Sequence, residues 1–210
     1  MDVKGLNIFN VFKKRTVTEK SMAILAITLL PALFVTNSLE ATILYLIYFL
    51  VYLILVLLVQ MLIKKVFPKE MAIYASVIGS VGVAIIVSQF IDAFHIGFAN
   101  NYLLYIYLFA INLIPIMVKE DNDDLGKSLV DGIQSFLGFA VIVIIVALIR
   151  EVLGTGSIVF GNYTNVKFSL KLFESSKALL IFNNAFSNFI ILGIVLAIVQ
   201  LVLNRKEEVK

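Results

Sequence analysis

Apolar residues dominate long, nearly unbroken stretches of the chain, and short polar segments separate these stretches. Six apolar blocks run over residues 22–36, 41–63, 71–94, 102–118, 129–149 and 178–203. A helix needs about 20 apolar residues to cross the hydrocarbon of a bilayer, and the second, third, fifth and sixth blocks are long enough. The pattern therefore predicts an all-α integral membrane protein with six transmembrane helices.

Composition excludes several other classes. Of the 210 residues, 61% are hydrophobic and 15% are charged, whereas a soluble domain has about 45–50% apolar and about 25% charged residues. With no cysteine and one histidine, the chain cannot form a disulfide, a cysteine-ligated cluster or a multi-histidine metal site. No Gly-rich phosphate loop is present, and the small net charge of +3 gives no reason to expect a nucleic-acid surface.

Charge predicts the orientation. Six spans divide the chain into an N-terminal segment (1–21), a membrane domain (22–204) with one long loop (153–178), and a tail (205–210). Most Lys and Arg residues fall on the side that carries both termini, and the other side has only Arg150, Lys167, Lys171 and Lys177. The positive-inside rule then places both termini in the cytoplasm and the long loop outside. We predict that residues 168–173 form an ordinary loop dipping towards the bilayer or a short interfacial helix.

The spans also suggest an internal repeat. Residues 27–33 (ITLLPAL) resemble residues 111–117 (INLIPIM), and the two prolines, Pro31 and Pro115, interrupt the two shortest blocks. Because each half holds three spans, the second half would enter the membrane upside down, as a 3+3 inverted-topology repeat with two Pro-broken helices. The alternative is two unrelated prolines, since proline is commoner in membrane helices than in soluble ones.

Polar residues within the apolar blocks are the candidate functional residues, because charge inside a bilayer is costly. The ionisable ones, His95 included, lie near span ends, where interface anchoring is the simpler interpretation. Small residues at 76–84 point to close helix packing, within the chain or against a partner. The candidates for a gate, an ion path or packing are Pro31, Thr36, Glu40, Asp92, Asn112, Pro115, Asp131, Arg150 and Glu151.

A longer pattern lies around the fifth block. Residues 128–132 (SLVDG), 137–138 (LG) and 150–156 (REVLGTG) resemble the S-x-x-D-G … L-G … R-E-x-L-G-[ST]-G run of the membrane subunits of Rnf and Na⁺-translocating Nqr oxidoreductases. Residues 32–40 (ALFVTNSLE) are similar to a second run of that family, A-L-A-V-T-x-x-L-E. Within the family, the E-type component of Rnf and the D-type component of Nqr are the most similar members.

The resemblance implies a subunit of a complex that couples electron transfer to Na⁺ or H⁺ translocation in a bacterial or archaeal cytoplasmic (inner) membrane. It implies a related six-span partner of opposite topology, and partner subunits that carry FMN or riboflavin and iron–sulfur clusters. The family's two cluster-ligating cysteines align with Leu30 and Leu113. This chain is therefore expected to hold no cofactor or metal itself and to act as a cluster-less scaffold or gate.

Two other functions stay open from the sequence. A small-solute transporter, or its substrate-binding membrane subunit, would also suit six spans, although the polar residues around the prolines are few. A purely structural assembly subunit is the third hypothesis. No residue is predicted to be catalytic, so the sequence leaves open whether the chain belongs to an enzyme.

Overall fold

The computed structural model describes residues 29–111, 125–164, 167–174 and 178–208. In this part of the chain, helix α1 (residues 29–35) is followed by α2 (Leu39–Val66), α3 (Lys69–Phe94) and α4 (Ile96–Tyr107). A 3₁₀ turn (Leu108–Ile111) extends α4, and the chain continues with α5 (Leu125–Thr155). Strands β1 (Ser157–Phe160) and β2 (Phe168–Lys171), a second 3₁₀ turn (Leu180–Asn183) and α6 (Ala185–Glu208) complete the described chain.

The structure is mostly helical and supports the prediction of a membrane protein. Among the described residues, three helices are long and apolar enough to cross a membrane: Leu39–Val66, Tyr74–Phe94 and Leu129–Thr155. Two shorter apolar helices cover Ile96–Ala110 and Phe186–Ile198. Asn112, Leu113 and Pro115 lie outside the described residues, so the inverted repeat and the second broken helix stay predictions.

Several predicted boundaries were wrong. The fourth block was placed at 102–118, but α4 begins at Ile96, with a single residue between it and the end of α3. This residue is His95, whose non-helical backbone (φ −135°, ψ 61°) stops α3. The His95 carbonyl oxygen then accepts from the N–H groups of Phe98 and Ala99, both at 2.9 Å, which starts α4 at once.

The sixth block was placed at 178–203, but its first residues form the 3₁₀ turn Leu180–Asn183, and α6 begins at Ala185. At its other end α6 continues to Glu208, beyond the predicted end of the block at residue 203. The fifth span likewise runs on to Thr155, beyond the predicted end at residue 149.

The prediction of an all-α fold was wrong in the long loop. Strands β1 and β2 form an antiparallel hairpin with Ser157 opposite Lys171 and Phe160 opposite Phe168. Residues 168–171 are thus a strand, where an ordinary loop or an interfacial helix was expected. The alternation of large apolar and polar residues in β2 has the two-residue period of a strand. We call the end of the bundle that carries this hairpin the hairpin end.

The chain direction breaks between α1 and α2 at residues 36–38. Pro31 is helical and buried within α1; the described break comes five residues later. There the Thr36 hydroxyl donates to the Leu33 carbonyl at 2.6 Å, which satisfies a carbonyl at the end of α1. Ser38 caps α2 by accepting from the Ala41 N–H at 3.2 Å, as serine does at helix starts.

Aromatic rings from α2, α5 and the first 3₁₀ turn form the centre of the core. Around Phe49, the ring centroids of Phe109, Phe139 and Phe136 lie at 5.2, 5.3 and 5.9 Å, within the range of favourable aromatic contacts. We call this group, together with Tyr45 and Tyr52, the aromatic cluster; its members are buried.

The small residues of α3 pack within the chain. A methyl group added at Gly79 would approach side-chain atoms of Val59 and Ile63 on α2 to 3.0 Å. Ser76 and Ser80 are buried as well. The four-residue spacing of these positions therefore lets α2 and α3 approach closely, and the alternative of a partner-facing stripe does not hold here. Gly82 differs, because nothing lies within 4 Å of a methyl group added there.

Candidate functional site

Glu40 holds the turn of the hairpin. It lies in the first turn of α2 and is buried. Its carboxylate accepts from four successive backbone N–H groups, those of Gly161 (3.0 Å), Asn162 (2.9 Å), Tyr163 (3.1 Å) and Thr164 (2.8 Å). The Thr164 hydroxyl also donates to it, at 2.6 Å. Successive N–H groups in a turn form an anion-binding concavity, and here the anion belongs to the chain itself.

Glu151 makes a second attachment between the hairpin and α2. It lies near the end of α5 and is buried. One carboxylate oxygen accepts from the Val159 N–H of β1 at 2.9 Å, and the other accepts from the Leu39 N–H at 2.5 Å. Leu39 opens α2, where free N–H groups and the helix dipole favour a negative charge. Two carboxylates thus fix the hairpin to the start of α2.

Arg150 connects α5 to two other irregular segments. Its guanidinium is buried and donates to the Phe182 carbonyl of the second 3₁₀ turn at 3.1 Å. It also donates to the Thr36 hydroxyl at the break after α1, at 3.5 Å. A guanidinium stays charged at any physiological pH, so the break lies next to a permanent positive charge.

Asn188 completes the arrangement from α6. Its side-chain amide donates to the Leu33 carbonyl at 2.7 Å, and its oxygen lies 3.4 Å from the Thr36 hydroxyl. Uncharged polar side chains in membrane helices commonly make such bonds across helices. We call Thr36, Glu40, Arg150, Glu151 and Asn188 the hairpin-end polar cluster; all of its members are buried.

Helix α4 is held at the same end by tyrosine hydroxyls. The Tyr102 hydroxyl donates to the Asn37 side-chain oxygen at 2.6 Å. The Tyr48 hydroxyl and the Nδ1 atom of His95 lie 2.6 Å apart, which ties the corner between α3 and α4 to α2. Hydrogen bonds therefore hold α2, α4, α5, α6 and the hairpin together at this end.

The structure brings together four of the nine predicted candidates: Thr36, Glu40, Arg150 and Glu151. Asp92 is exposed on α3, and Asp131 is half-buried in the first third of α5, so neither lies in the cluster. Pro31 is buried in α1, and Asn112 and Pro115 lie outside the described residues. The sequence did not indicate the partner of Glu40, although Gly161 and Asn162 are residues typical of a turn.

The chemistry of the cluster suits a rigid joint better than a metal site. The N–H and O–H donors of the hairpin surround the Glu40 carboxylate, and the Arg150 guanidinium disfavours a cation close to the Thr36 hydroxyl. No group of three or more metal-binding side chains occurs in the described ranges. Leu30, which stands at one expected cluster-cysteine position, lies on an open face of α1 and is 40% exposed; Leu113 is outside the described residues.

The fold and the buried polar cluster define a multi-pass membrane protein with an ordered joint at one end of its helices. The family model described as "Rnf-Nqr subunit, membrane protein" matches residues 8–202. The chain therefore belongs to the Rnf-Nqr family of membrane-protein subunits. The comparison with curated proteins finds no match for it.

Proposed function

We propose that this chain is a membrane subunit of an Rnf/Nqr-like complex that couples electron transfer to Na⁺ or H⁺ translocation. Within that complex it acts as a cluster-less scaffold or gate, in the position of the E-type component of Rnf or the D-type component of Nqr. The observation that carries the proposal is the buried polar cluster around the break after α1, in a chain that belongs to this family. In many secondary transporters, discontinuous helices form the substrate and ion sites.

The open face of α1 supports a partner of related fold. Leu30 is 40% exposed, whereas Leu29, Leu33 and Val35 are buried in this chain. A short helix that covers one face with its own chain leaves the other for a neighbouring subunit. The partner we propose has six spans of opposite topology, and its broken helix packs against α1 here.

The proposal of a scaffold or gate, and not of an electron carrier, rests on the absence of cysteine in the sequence. Leucine cannot ligate iron, so the electron carriers, FMN or riboflavin and iron–sulfur clusters, belong to other subunits in this proposal. Purification in mild detergent is expected to recover those subunits with this chain. Recovery of the chain alone, or stoichiometric iron in the isolated chain, would contradict this role.

Orientation is part of the proposal: both termini lie in the cytoplasm and the hairpin lies outside. Because the chain has no cysteine, single cysteines can be introduced without background. In intact cells, a membrane-impermeant maleimide should label Lys171→Cys in β2 and should not label Lys65→Cys at the end of α2. Labelling of Lys65→Cys and not of Lys171→Cys would show the opposite orientation.

The gate is tested by measuring two activities of the assembled complex in vesicles, electron transfer and ion uptake. We expect Thr36→Val and Asn188→Leu, which remove polar groups at the break, to lower the number of ions taken up per electron transferred. The matched control is Asp92→Asn, an exposed carboxylate outside the cluster, which should change neither activity. An unchanged ion-to-electron ratio in both cluster variants would argue for a scaffold only. Ligand-dependent stabilisation of the isolated chain by a small solute would favour the transporter hypothesis instead.

A further inference from the structure

The hairpin has one apolar face. Ile158 pairs with Leu170 and Phe160 pairs with Phe168, and side chains opposite each other in an antiparallel pair project to the same side. Leu172 follows two residues after Leu170 and continues this side. In β2 and directly after it, Phe168, Leu170 and Leu172 are 53%, 42% and 52% exposed.

The other side of the hairpin is more polar. Ser157 pairs with Lys171, and Val159 pairs with Ser169. Lys171 and Lys167 are exposed and lie at the two ends of β2. The hairpin is thus amphipathic, with large apolar side chains on one face and two ammonium groups beside them.

The hairpin is held at the level where the spans end. Only Gly156 separates α5 from β1, and its φ of +74° makes the turn that a residue with a side chain rarely adopts. The bonds from Glu40 and Glu151 keep the hairpin against the start of α2. The hairpin cannot move far from the ends of α2 and α5 without breaking these bonds.

Other parts of the hairpin end also present large apolar side chains. Some of these side chains lie at the corner between α3 and α4, and the others lie just before or at the start of α6. They are Phe94, Ile96, Leu179, Ile181 and Phe186, all more than half exposed. They continue into the exposed apolar faces of α3 and α6, the kind of surface that a bilayer would cover. The apolar face of the hairpin therefore lies at an end of the bundle where other large apolar side chains are also exposed.

We propose that the hairpin lies in the membrane interface, with Phe168, Leu170 and Leu172 in the lipid and with Lys167 and Lys171 at anionic headgroups. Interfacial segments bind by burying apolar side chains and by attracting anionic lipids with Lys and Arg. Lipid fits this surface better than a protein partner, because the hairpin is bonded to the ends of two candidate spans, α2 and α5, and its charged neighbours match anionic lipid. The inference needs only that the chain spans a membrane and does not rest on the proposed electron-transfer complex.

The test uses fluorescence of the full chain in vesicles. Leu170→Cys and Ser169→Cys, on opposite faces of β2, are each labelled with an environment-sensitive dye in the cysteine-free chain. The probe at 170 should emit at shorter wavelength than the probe at 169. It should also be quenched severalfold more strongly by brominated lipid and less by iodide in water.

Three results would overturn the proposal: equal quenching by iodide at the two positions, quenching by neither agent at 170, or no difference in emission. Protection from both quenchers that appears only in the assembled complex would identify a protein partner on this face instead.

The headgroup contact is tested separately. With the probe at 170, vesicles that contain phosphatidylglycerol should give a larger emission shift than vesicles of phosphatidylcholine alone. Lys167→Gln combined with Lys171→Gln should remove that difference and leave the signal in phosphatidylcholine unchanged. If the unsubstituted lysines give equal emission in both vesicles, the assignment of Lys167 and Lys171 to anionic headgroups is wrong.

Discussion

Helices α2 and α5 are joined in two ways along their length. Deeper in the bundle, rings of the aromatic cluster pack around Phe49, with centroids at 5.2 to 5.9 Å. At the hairpin end, carboxylates and a guanidinium bond to backbone groups of loops and helix ends. Ring packing tolerates small shifts, because each contact is weak and many are made. Hydrogen bonds to fixed N–H groups hold one geometry, so this end sets the position of the hairpin.

The two regions also differ in how completely their polar groups are satisfied. In the polar cluster, the carboxylates, the guanidinium and the Asn188 amide all have hydrogen-bond partners. In the aromatic cluster, the buried Tyr52 hydroxyl makes no hydrogen bond to the described residues. The Ser80 hydroxyl lies near it and donates to the Val77 carbonyl at 2.7 Å. The Ser80 oxygen could still accept from Tyr52, but the two hydroxyls do not meet in hydrogen-bonding geometry. Burial without a partner therefore distinguishes the Tyr52 hydroxyl from the groups of the polar cluster.

The largest effect is expected from breaking the aromatic cluster. Phe49→Ala should lower the free energy of unfolding by about 3–5 kcal/mol, because it removes a ring from the centre of a packed group. Denaturant titration in micelles measures this loss. The control is Phe90→Ala, an exposed ring on α3, which should change stability little. Equal losses in both variants would mean that the cluster is not a distinct centre of packing.

Next in size is the loss of Glu40. Glu40→Ala leaves the N–H groups of residues 161–164 without their acceptor, at a cost of about 3 kcal/mol. The effect should be local: amide hydrogen exchange should rise across residues 157–172 and stay unchanged around Phe49. Glu40→Gln keeps one acceptor oxygen, so its exchange rates across residues 157–172 should lie between those of the unsubstituted chain and those of Glu40→Ala. Uniformly faster exchange throughout the chain would remove the distinction between the two regions.

A smaller effect is expected where α2 meets α3. Gly79→Val places new atoms against Val59 and Ile63 and should cost about 1–2 kcal/mol through overpacking. Gly82→Val is the matched control on the same helix, since nothing lies within 4 Å there. Thermal denaturation in detergent should separate the two variants. A loss of the same size at Gly82 would point to a partner on that face.

The smallest effect is expected from removing a hydroxyl. Tyr52→Phe takes away a buried group without a partner and should change stability by less than about 0.5 kcal/mol, or increase it. Tyr48→Phe removes the bond to His95 and should cost about 1 kcal/mol. Denaturant titration of both variants compares them directly. A clear loss at Tyr52 would show that its hydroxyl has a partner in the native membrane.

The long spans were predictable, whereas the hairpin was not predicted. Blocks such as 41–63 contain too many successive apolar residues for any other structure. In the long loop, the sequence from Phe168 to Leu172 alternates strictly between apolar and polar residues. That two-residue period is the ordinary indication of a strand, but it is short and lies in a loop where apolar content suggested the bilayer.

The site was predicted as separate residues and not as a cluster. Glu40, Arg150 and Glu151 stood out because charge is costly near a bilayer. Anchoring at the interface was the simpler interpretation, whereas the structure buries all three. Their partners are mostly backbone groups. Nearly every residue carries these groups, so the sequence does not show which of them will be the partner. The turn that Glu40 binds is 121 or more positions away along the chain, so no local pattern indicates the contact.

The bonds between Glu40 and residues 161–164 restrict how the chain runs along the bundle. Both partners lie at the hairpin end, so the chain between them must run the length of the bundle an even number of times. Helices α2, α3 and α5, which are long and apolar enough to cross a membrane, each run its length once. The chain must therefore return to the other end once more between His95, at the hairpin end, and the start of α5. One carboxylate and a turn at least 121 positions away thus fix the parity of the helix topology.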